Sequence, residues 1–330
     1  MRVTVLGAGA VGGWLAAGLA RAGLEVGILA RGGSLVALRD HGLSVLEGER
    51  QEVFRLPATD DPAALRGADL LLLGLKSHDL PRALPLIEAL LGPETVILPA
   101  QNGIPWWFLQ GFGGPAQGLT LESVDPGGAL ARALPAERVI GCVAHVASRV
   151  EAPGRIRLVK ADRLLLGDPG GAPGPRVAAL VEAFRTGGVP AEAVPDIRAE
   201  IWLKLWGNSN MNPLSALCRA DAAQMLDDPG VRGLVVAMMG EMAEIGARIG
   251  LPIAQEPEER IAVTRRLGTF RTSMLQDLEA GRSLETGPLL GGLVELADHL
   301  GLEAPQLRGV HGLVRLLARN LGLERAAPAG

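Results

Sequence analysis

Six residues near the start of the chain limit its fold more than any other feature: Gly7-Ala-Gly9-Ala10-Val11-Gly12. They follow Arg2-Val-Thr-Val-Leu6, a β-rich run, and lead into residues 11–22, an Ala/Leu pattern of helical period. A G-x-G-x-x-G motif says little alone, but between a strand and a helix it has the context that a dinucleotide site requires. Each glycine has its own reason to be there. Gly7 permits the tight turn, Gly9 lets a pyrophosphate approach the backbone, and Gly12 lets helix and strand pack closely. Ala10 and Val11 then open a helix whose unpaired N–H groups and positive dipole end suit phosphates. Two other readings compete. Residues 3–20 carry no charge and follow Arg2, as a secretory signal would, although five glycines and a change of period oppose it. The glycines could also serve only to shape a turn.

Cofactor preference is read one strand later. Glu25-Val-Gly-Ile-Leu-Ala30 is the second strand, and an NAD-selective site usually closes it with a carboxylate on the ribose 2′-OH. Arg31 stands there instead, followed by Gly32, Gly33 and Ser34. A guanidinium grips a 2′-phosphate by charge-assisted hydrogen bonds, so NADP(H) is expected. The alternative is a solvated surface arginine.

The rest of the chain, 330 residues in all, exceeds one ordinary domain. Residues 68–75 read as a strand buried on both faces, 81–91 as a helix and 94–99 as the next strand. That alternation predicts a doubly wound sheet. After an irregular stretch at 106–137, strand-like runs follow at 139–148, 155–158 and 163–166, then a helix near 176–186 and a strand near 190–194. From Ile197 on, only helical patterns occur, among them 197–206, 231–249, 257–267, 273–280, 289–300 and 306–321. The expected architecture is an α/β Rossmann N-terminal domain over 1–196 and an all-α C-terminal domain over 197–330, with a frayed tail after Arg325.

Composition removes several chemistries. There are 32 Lys plus Arg against 36 Asp plus Glu, a net charge of −4, which opposes a broad nucleic-acid surface. Tyrosine is absent, so no tyrosine phenol serves as a catalytic acid. Cys142 and Cys218 are the only cysteines and lie far apart. No zinc site, disulfide framework or redox pair is expected, no other metal site either, and a reducing, cytoplasmic setting fits. No membrane association is expected.

The most informative stretch is Ile197-Arg-Ala-Glu-Ile-Trp-Leu-Lys204-Leu-Trp-Gly-Asn208-Ser-Asn-Met-Asn212-Pro-Leu. Lys204, Asn208 and Asn212 recur every four residues and share a helix face. A polar stripe in so apolar a helix is expected to be buried and to need hydrogen-bond partners, which a polar substrate would provide. A buried lysine also loses basicity and becomes a usable proton donor. The other reading is a lysine reaching water beside structural asparagines. Three further features are open in the same way. Gln101-Asn102-Gly103 follows a sheet strand at its ligand-binding edge, or is an Asn-Gly turn. Ser273-Met-Leu-Gln276 is a site serine, or a capping box. Glu285 is a site carboxylate, or a helix-start acid favoured by the dipole.

Taken in order, these motifs resemble the ketopantoate reductase (2-dehydropantoate 2-reductase) family over nearly the whole chain. The resemblance rests on Gly7-x-Gly9-x-x-Gly12, Leu75-Lys76, Gln101-Asn102-Gly103, Arg198-Ala-Glu-x-Trp-x-Lys204 with Asn208 and Asn212-Pro213, and Ser273-Met-Leu-Gln-Asp277 with Gly281-Arg and Glu285. It implies a Rossmann domain followed by a helical domain of the 6-phosphogluconate-dehydrogenase-like kind, and NADPH-dependent reduction of 2-dehydropantoate to (R)-pantoate on the way to coenzyme A. By position, Lys204 would protonate the ketone oxygen, and Glu285 would hold the substrate hydroxyl and orient Lys204. Asn208, Asn212 and Ser273 would bind substrate, Asn102 would sit beside nicotinamide and lysine, and Arg31 and Lys76 would lie on the phosphate and adenosine side. The resemblance also makes a homodimer plausible.

The chain departs from the family pattern in three places. The family commonly follows its glutamate with Ile-Asp, whereas Glu285 precedes Thr286-Gly287. Ala222 replaces an asparagine that often follows the Asn-Pro step by ten residues. The run Trp106-Trp107-Phe108 is unusually aromatic: core packing, or an apolar wall suited to a bulkier 2-oxo acid. That substrate, and a non-catalytic NADP(H)-binding sensor, are the alternative functions.

Overall fold

The computed structural model describes residues 1–266 and 268–324, and the chain divides into two compact units. One comprises Met1–Gln101 and Arg132–Glu200; the other comprises Asn102–Ala131 and the residues from Ile201 on. The frayed tail expected after Arg325 lies outside the described residues, as does Leu267, the end of one expected helix.

The chain runs through β1 (Arg2–Leu6), α1 (Ala10–Arg21), β2 (Glu25–Leu29), α2 (Gly32–His41), β3 (Leu43–Glu47), β4 (Arg50–Phe54), β5 (Ala58–Thr59), β6 (Leu70–Leu73), α3 (Leu80–Leu90) and β7 (Val96–Pro99). After α4 (Ala129–Ala133) come β8 (Gly141–Ala152), β9 (Arg155–Gly167), α5 (Pro175–Thr186) and β10 (Ala191–Ala193). Five strands form a parallel sheet in the order β5-β2-β1-β6-β7, with Leu6 paired to Leu29 on one side and Leu73 on the other. This is the Rossmann-type α/β arrangement that the alternating pattern predicts. The uncharged stretch 3–20 is divided between β1 and α1.

A second sheet, β10-β9-β3-β4 with β8 antiparallel to β9, was not predicted. The sequence suggests two short runs at 155–158 and 163–166, but β9 is continuous because β8 pairs along it through three register shifts. Helix α1 packs on both sheets. Trp14, Leu15 and Leu19 share one core with Val5, Ile28 and Leu72 of the first sheet and with Ile156 and Leu164 of the second.

The second unit is helical: α6 (Ile197–Cys218), α7 (Ala222–Asp227), α8 (Pro229–Ile249), α9 (Pro257–Arg266), α10 (Ser273–Glu279), a π-helical turn Gly287–Gly291, α11 (Gly292–Leu300) and α12 (Pro305–Asn320). Helix α6 extends past the expected end at 206 and runs through Pro213. Its ends and neighbours are set by local chemistry. Asp221 and Gln224 form a capping box on α7, Asp228 caps α8, and α8 stops at Gly250 in the left-handed conformation. Residues 102–131 group with these helices rather than with the sheet, a difference from a single division at 196. No described helix is long and apolar enough to cross a membrane.

Candidate active site

Helix α6 is held by two tryptophans. Trp202 and Trp206 are fully buried. The Trp206 indole N–H donates to the Met239 carbonyl of α8 at 2.9 Å, and Ser209 Oγ meets Met242 Sδ at 3.3 Å. Trp202 stacks on Phe108, with ring centroids 6.1 Å apart, and a Cβ on Gly246 of α8 would collide with its indole nitrogen. Burying each indole is worth about 4–6 kcal/mol, from roughly 150–250 Å² at about 25 cal/mol per Å². Residues two positions further along lie about 200° around the helix. Lys204 and Asn208 therefore face away from α8, and both are half-buried.

Lys204 Nζ donates to Asn102 Oδ1 at 2.7 Å. A hydrogen bond from a charged donor contributes about 1.5–3 kcal/mol, less than either tryptophan. The indoles thus set the rotation of α6, and the Asn102 bond is one contact that helps to place the amine. Asn212, one turn beyond Asn208, is buried, and its amide donates to Ser273 Oγ at 3.3 Å. Ser273 is the exposed first residue of α10, and it does not cap that helix. The cap is Thr272, whose hydroxyl accepts from Leu275 N–H, while the Gln276 amide bonds the Arg271 carbonyl. The capping reading of Ser273 was misplaced by one residue.

Asn102 reaches Lys204 because the excursion 102–124 docks on the π-helical turn. Gly103 (φ +85) packs against Pro288, where a Cβ would strike the carbonyl, and Ile104 N–H donates to Pro288 O at 2.9 Å. Further on, Ser123 seats its backbone against Gly287 and its side chain against Gly291, and its N–H donates to Glu295 at 2.8 Å. Glu285 stands two residues before this turn, next to its N-cap Thr286, half-buried, at the N-terminal end where the helix-start reading also put it. The notch explains the missing aspartate. A Cβ on Gly287 would collide with the Ser123 carbonyl oxygen, so position 287 has no room for a side chain. The π-helical turn was not read from the sequence; its only signal is the run Gly287-Pro-Leu-Leu-Gly-Gly292 inside an apolar helical pattern.

Trp106, Trp107 and Phe108 are buried in the core of the helical unit, with Phe108 between Trp107, Phe112 and Trp202. Ala222 is buried as well, as the first residue of α7.

The glycine loop belongs to the other unit. Gly7 takes φ +97 to turn the chain, and Gly12 abuts Gly7 and Gly74, where a Cβ would strike the Gly7 carbonyl. By contrast, a Cβ on Gly9 would meet nothing within 4 Å. Gly9 is also the N-cap of α1 and provides no side-chain cap, so the first N–H groups, those of Ala10 and Val11 included, have no helical acceptor. One open and two packed glycines fit a pyrophosphate at this loop. Arg31, the exposed N-cap of α2, makes no ion pair among the described residues, and Lys76 is half-buried after β6. The Gln101 amide donates to the Leu73 and Leu75 carbonyls at 2.7 and 3.0 Å, which ties the end of β7 to that of β6. Arg198 is buried and bonds the Pro169 carbonyl; burial pushes its pKa down.

The family description "Ketopantoate reductase PanE/ApbA" matches residues 3–106, and "Ketopantoate reductase PanE/ApbA C terminal" matches residues 196–318. A protein of Mesorhizobium japonicum named 2-dehydropantoate 2-reductase is 41% identical over 323 residues, 98% of this chain and 99% of that protein. The crystal structure of a putative ketopantoate reductase from Ralstonia solanacearum is 43% identical and superposes with a TM-score of 0.94, over 98% of this chain and 99% of that one. A D-mandelate dehydrogenase structure, at 21% identity and a TM-score of 0.81, shares the fold.

The Gly287 notch yields a direct test. Gly287→Ala forces a methyl into the Ser123 backbone and is expected to cost about 1–3 kcal/mol, the usual range for overpacking. A thermal melt should show the loss, and an unchanged midpoint would contradict the packing described.

Proposed function

This chain belongs to the ketopantoate reductase family, an oxidoreductase family acting on CH–OH groups, and we propose that it reduces 2-dehydropantoate to (R)-pantoate with NADPH. The observation that carries the reading is Lys204 Nζ held at 2.7 Å by Asn102 Oδ1, each within a motif the family resemblance identifies. Bound NADPH supplies the hydride to the carbonyl carbon. Negative charge then develops on the carbonyl oxygen, and an aimed ammonium both stabilises that charge and delivers the proton. Lys204 fills that role. Glu285 holds the substrate hydroxyl and orients Lys204, while Asn208, Asn212 and Ser273 bind the rest of the substrate.

The residues proposed for the cofactor are Gly7, Gly9, Ala10, Val11 and Gly12 at the pyrophosphate, Arg31 at the 2′-phosphate and Lys76 on the adenosine side. Asn102 serves both substrate and nicotinamide. A place in pantothenate and coenzyme A synthesis, a cytoplasmic location and a homodimer complete the proposal. The bulkier substrate loses its main motive, because the aromatic run that suggested it is packed in the core.

Steady-state NADPH oxidation with ketopantoate tests the reading. Fast turnover is expected, and tight NADPH binding with no turnover would reject the substrate. Lys204→Ala should lower kcat by about 10²–10⁴, the span of a lost general acid; near-normal turnover would remove lysine from the mechanism. Arg31→Ala should weaken NADPH by about 1–3 kcal/mol and leave NADH nearly unchanged. Equal losses for both cofactors would show that Arg31 does not read the 2′-phosphate.

A further inference from the structure

Next to Asn212 and Ser273 in the fold is a second polar pair, Ser215 with the α10 cap Thr272, whose mutual contact has had no role so far. Ser215 Oγ and Thr272 Oγ1 are 2.5 Å apart, and both residues are buried, at 0% and 4% exposure. Ser215 Oγ also lies 2.8 Å from the Asn212 carbonyl oxygen, and Leu275 N–H donates to Thr272 Oγ1 at 3.2 Å. The proton inventory fixes the direction of every bond. A carbonyl only accepts, so Ser215 gives its single proton to Asn212 O. Thr272 already accepts from Leu275 and gives its own proton to Ser215 Oγ. The relay runs Leu275 N–H, Thr272 O–H, Ser215 O–H, Asn212 C=O, with each proton used once.

This relay joins α6 at the residue that bears the Asn212 amide to α10 at the residue just before Ser273. The two ends of the junction differ. At the buried end the hydroxyls meet at 2.5 Å; at the outer end the Asn212 amide and Ser273 hydroxyl meet at 3.3 Å, long for an N–H···O bond. The back is tight and the front is loose enough to exchange its bond for a ligand. Helix α6 needs such support here, because Pro213 has no N–H for the carbonyl one turn earlier.

We propose that Ser215 and Thr272 form a clasp that positions Asn212 and Ser273 to receive the polar end of a hydroxylated 2-oxo acid. Neither clasp hydroxyl touches substrate; both act through the residues next to them in the chain. The proposal rests on the reading that Asn212 and Ser273 bind substrate, and it adds the pair that sets their spacing.

The test is a mutant cycle in the ketopantoate assay, with Ser215→Ala, Thr272→Val, the double variant and Thr272→Ser. Ser215→Ala leaves the Thr272 hydroxyl without its acceptor, and Thr272→Val removes that same bond together with the α10 cap, so each single variant should raise the KM for ketopantoate about tenfold. The kcat should stay within about twofold and the KM for NADPH should not move. Thr272→Ser keeps the hydroxyl and should restore the KM, and the double variant should be no worse than Thr272→Val alone. An unmoved ketopantoate KM in folded Ser215→Ala overturns the clasp, as does an equal rise in the NADPH KM, which marks general loosening. Independent, multiplying losses in the double variant overturn it too. Wild-type protein that does not reduce ketopantoate overturns the proposed function, and the clasp falls with it; active wild type with an unmoved KM overturns the clasp alone.

Discussion

The burial of Trp202 and Trp206 against α8 decides where the polar face of α6 points. Once both indoles are seated, at about 4–6 kcal/mol each, no rotation of the helix can keep them buried and also move Lys204. The lysine, the asparagine one turn on and the Asn102 bond all follow from that choice. This ordering of magnitudes matters for function. In the proposed reaction a proton donor must be held still while charge builds on the oxygen, and a hydrogen bond alone is too weak to hold a helix. Apolar packing orients the helix, and the polar contact then places only the amine.

In the sheet unit the corresponding constraint is the close approach of backbone. Gly7, Gly12 and Gly74 meet where no Cβ fits, while Gly9 opens onto space. Helix α1 is gripped on its far side as well, since a Cβ on Gly13 would strike Ile156 of β9. A helix packed on two sheets cannot tilt, so the N–H groups at its first turn hold a fixed direction. The chain then leaves this unit between Gln101 and Asn102: Gln101 bonds the end of β6, and the next residue bonds Lys204.

Much of this is written locally in the chain. The glycine loop is legible because each glycine answers a steric demand of its immediate neighbours, and the α6 stripe is legible because helical period alone puts Lys204 and Asn208 together. What escapes is non-local. The second sheet is hidden because Lys160 and Asp162 interrupt the apolar pattern of β9 in the sequence, although β8 pairs across that stretch. The π-helical turn shares its apolar pattern with an ordinary helix, and only the Ser123 contact shows why positions 287 and 291 are glycine. The aromatics at 106–108 look like a wall beside Asn102, but Phe108 instead stacks on Trp202 and completes the core that holds α6. Two adjacent hydroxyls, Thr272 and Ser273, divide capping and exposure in a way that spacing cannot assign.

The account joins Asn102 to Lys204 as one unit: Asn102 acts by placing the amine. The most direct measurement is a double-mutant cycle on kcat for ketopantoate reduction, with Asn102→Ala, Lys204→Ala and both together. Asn102→Ala should slow turnover in the presence of Lys204, and should cause no further loss once Lys204 is gone. Independent, multiplying losses would show that Asn102 works apart from the lysine and would contradict the arrangement on which the proposed chemistry rests.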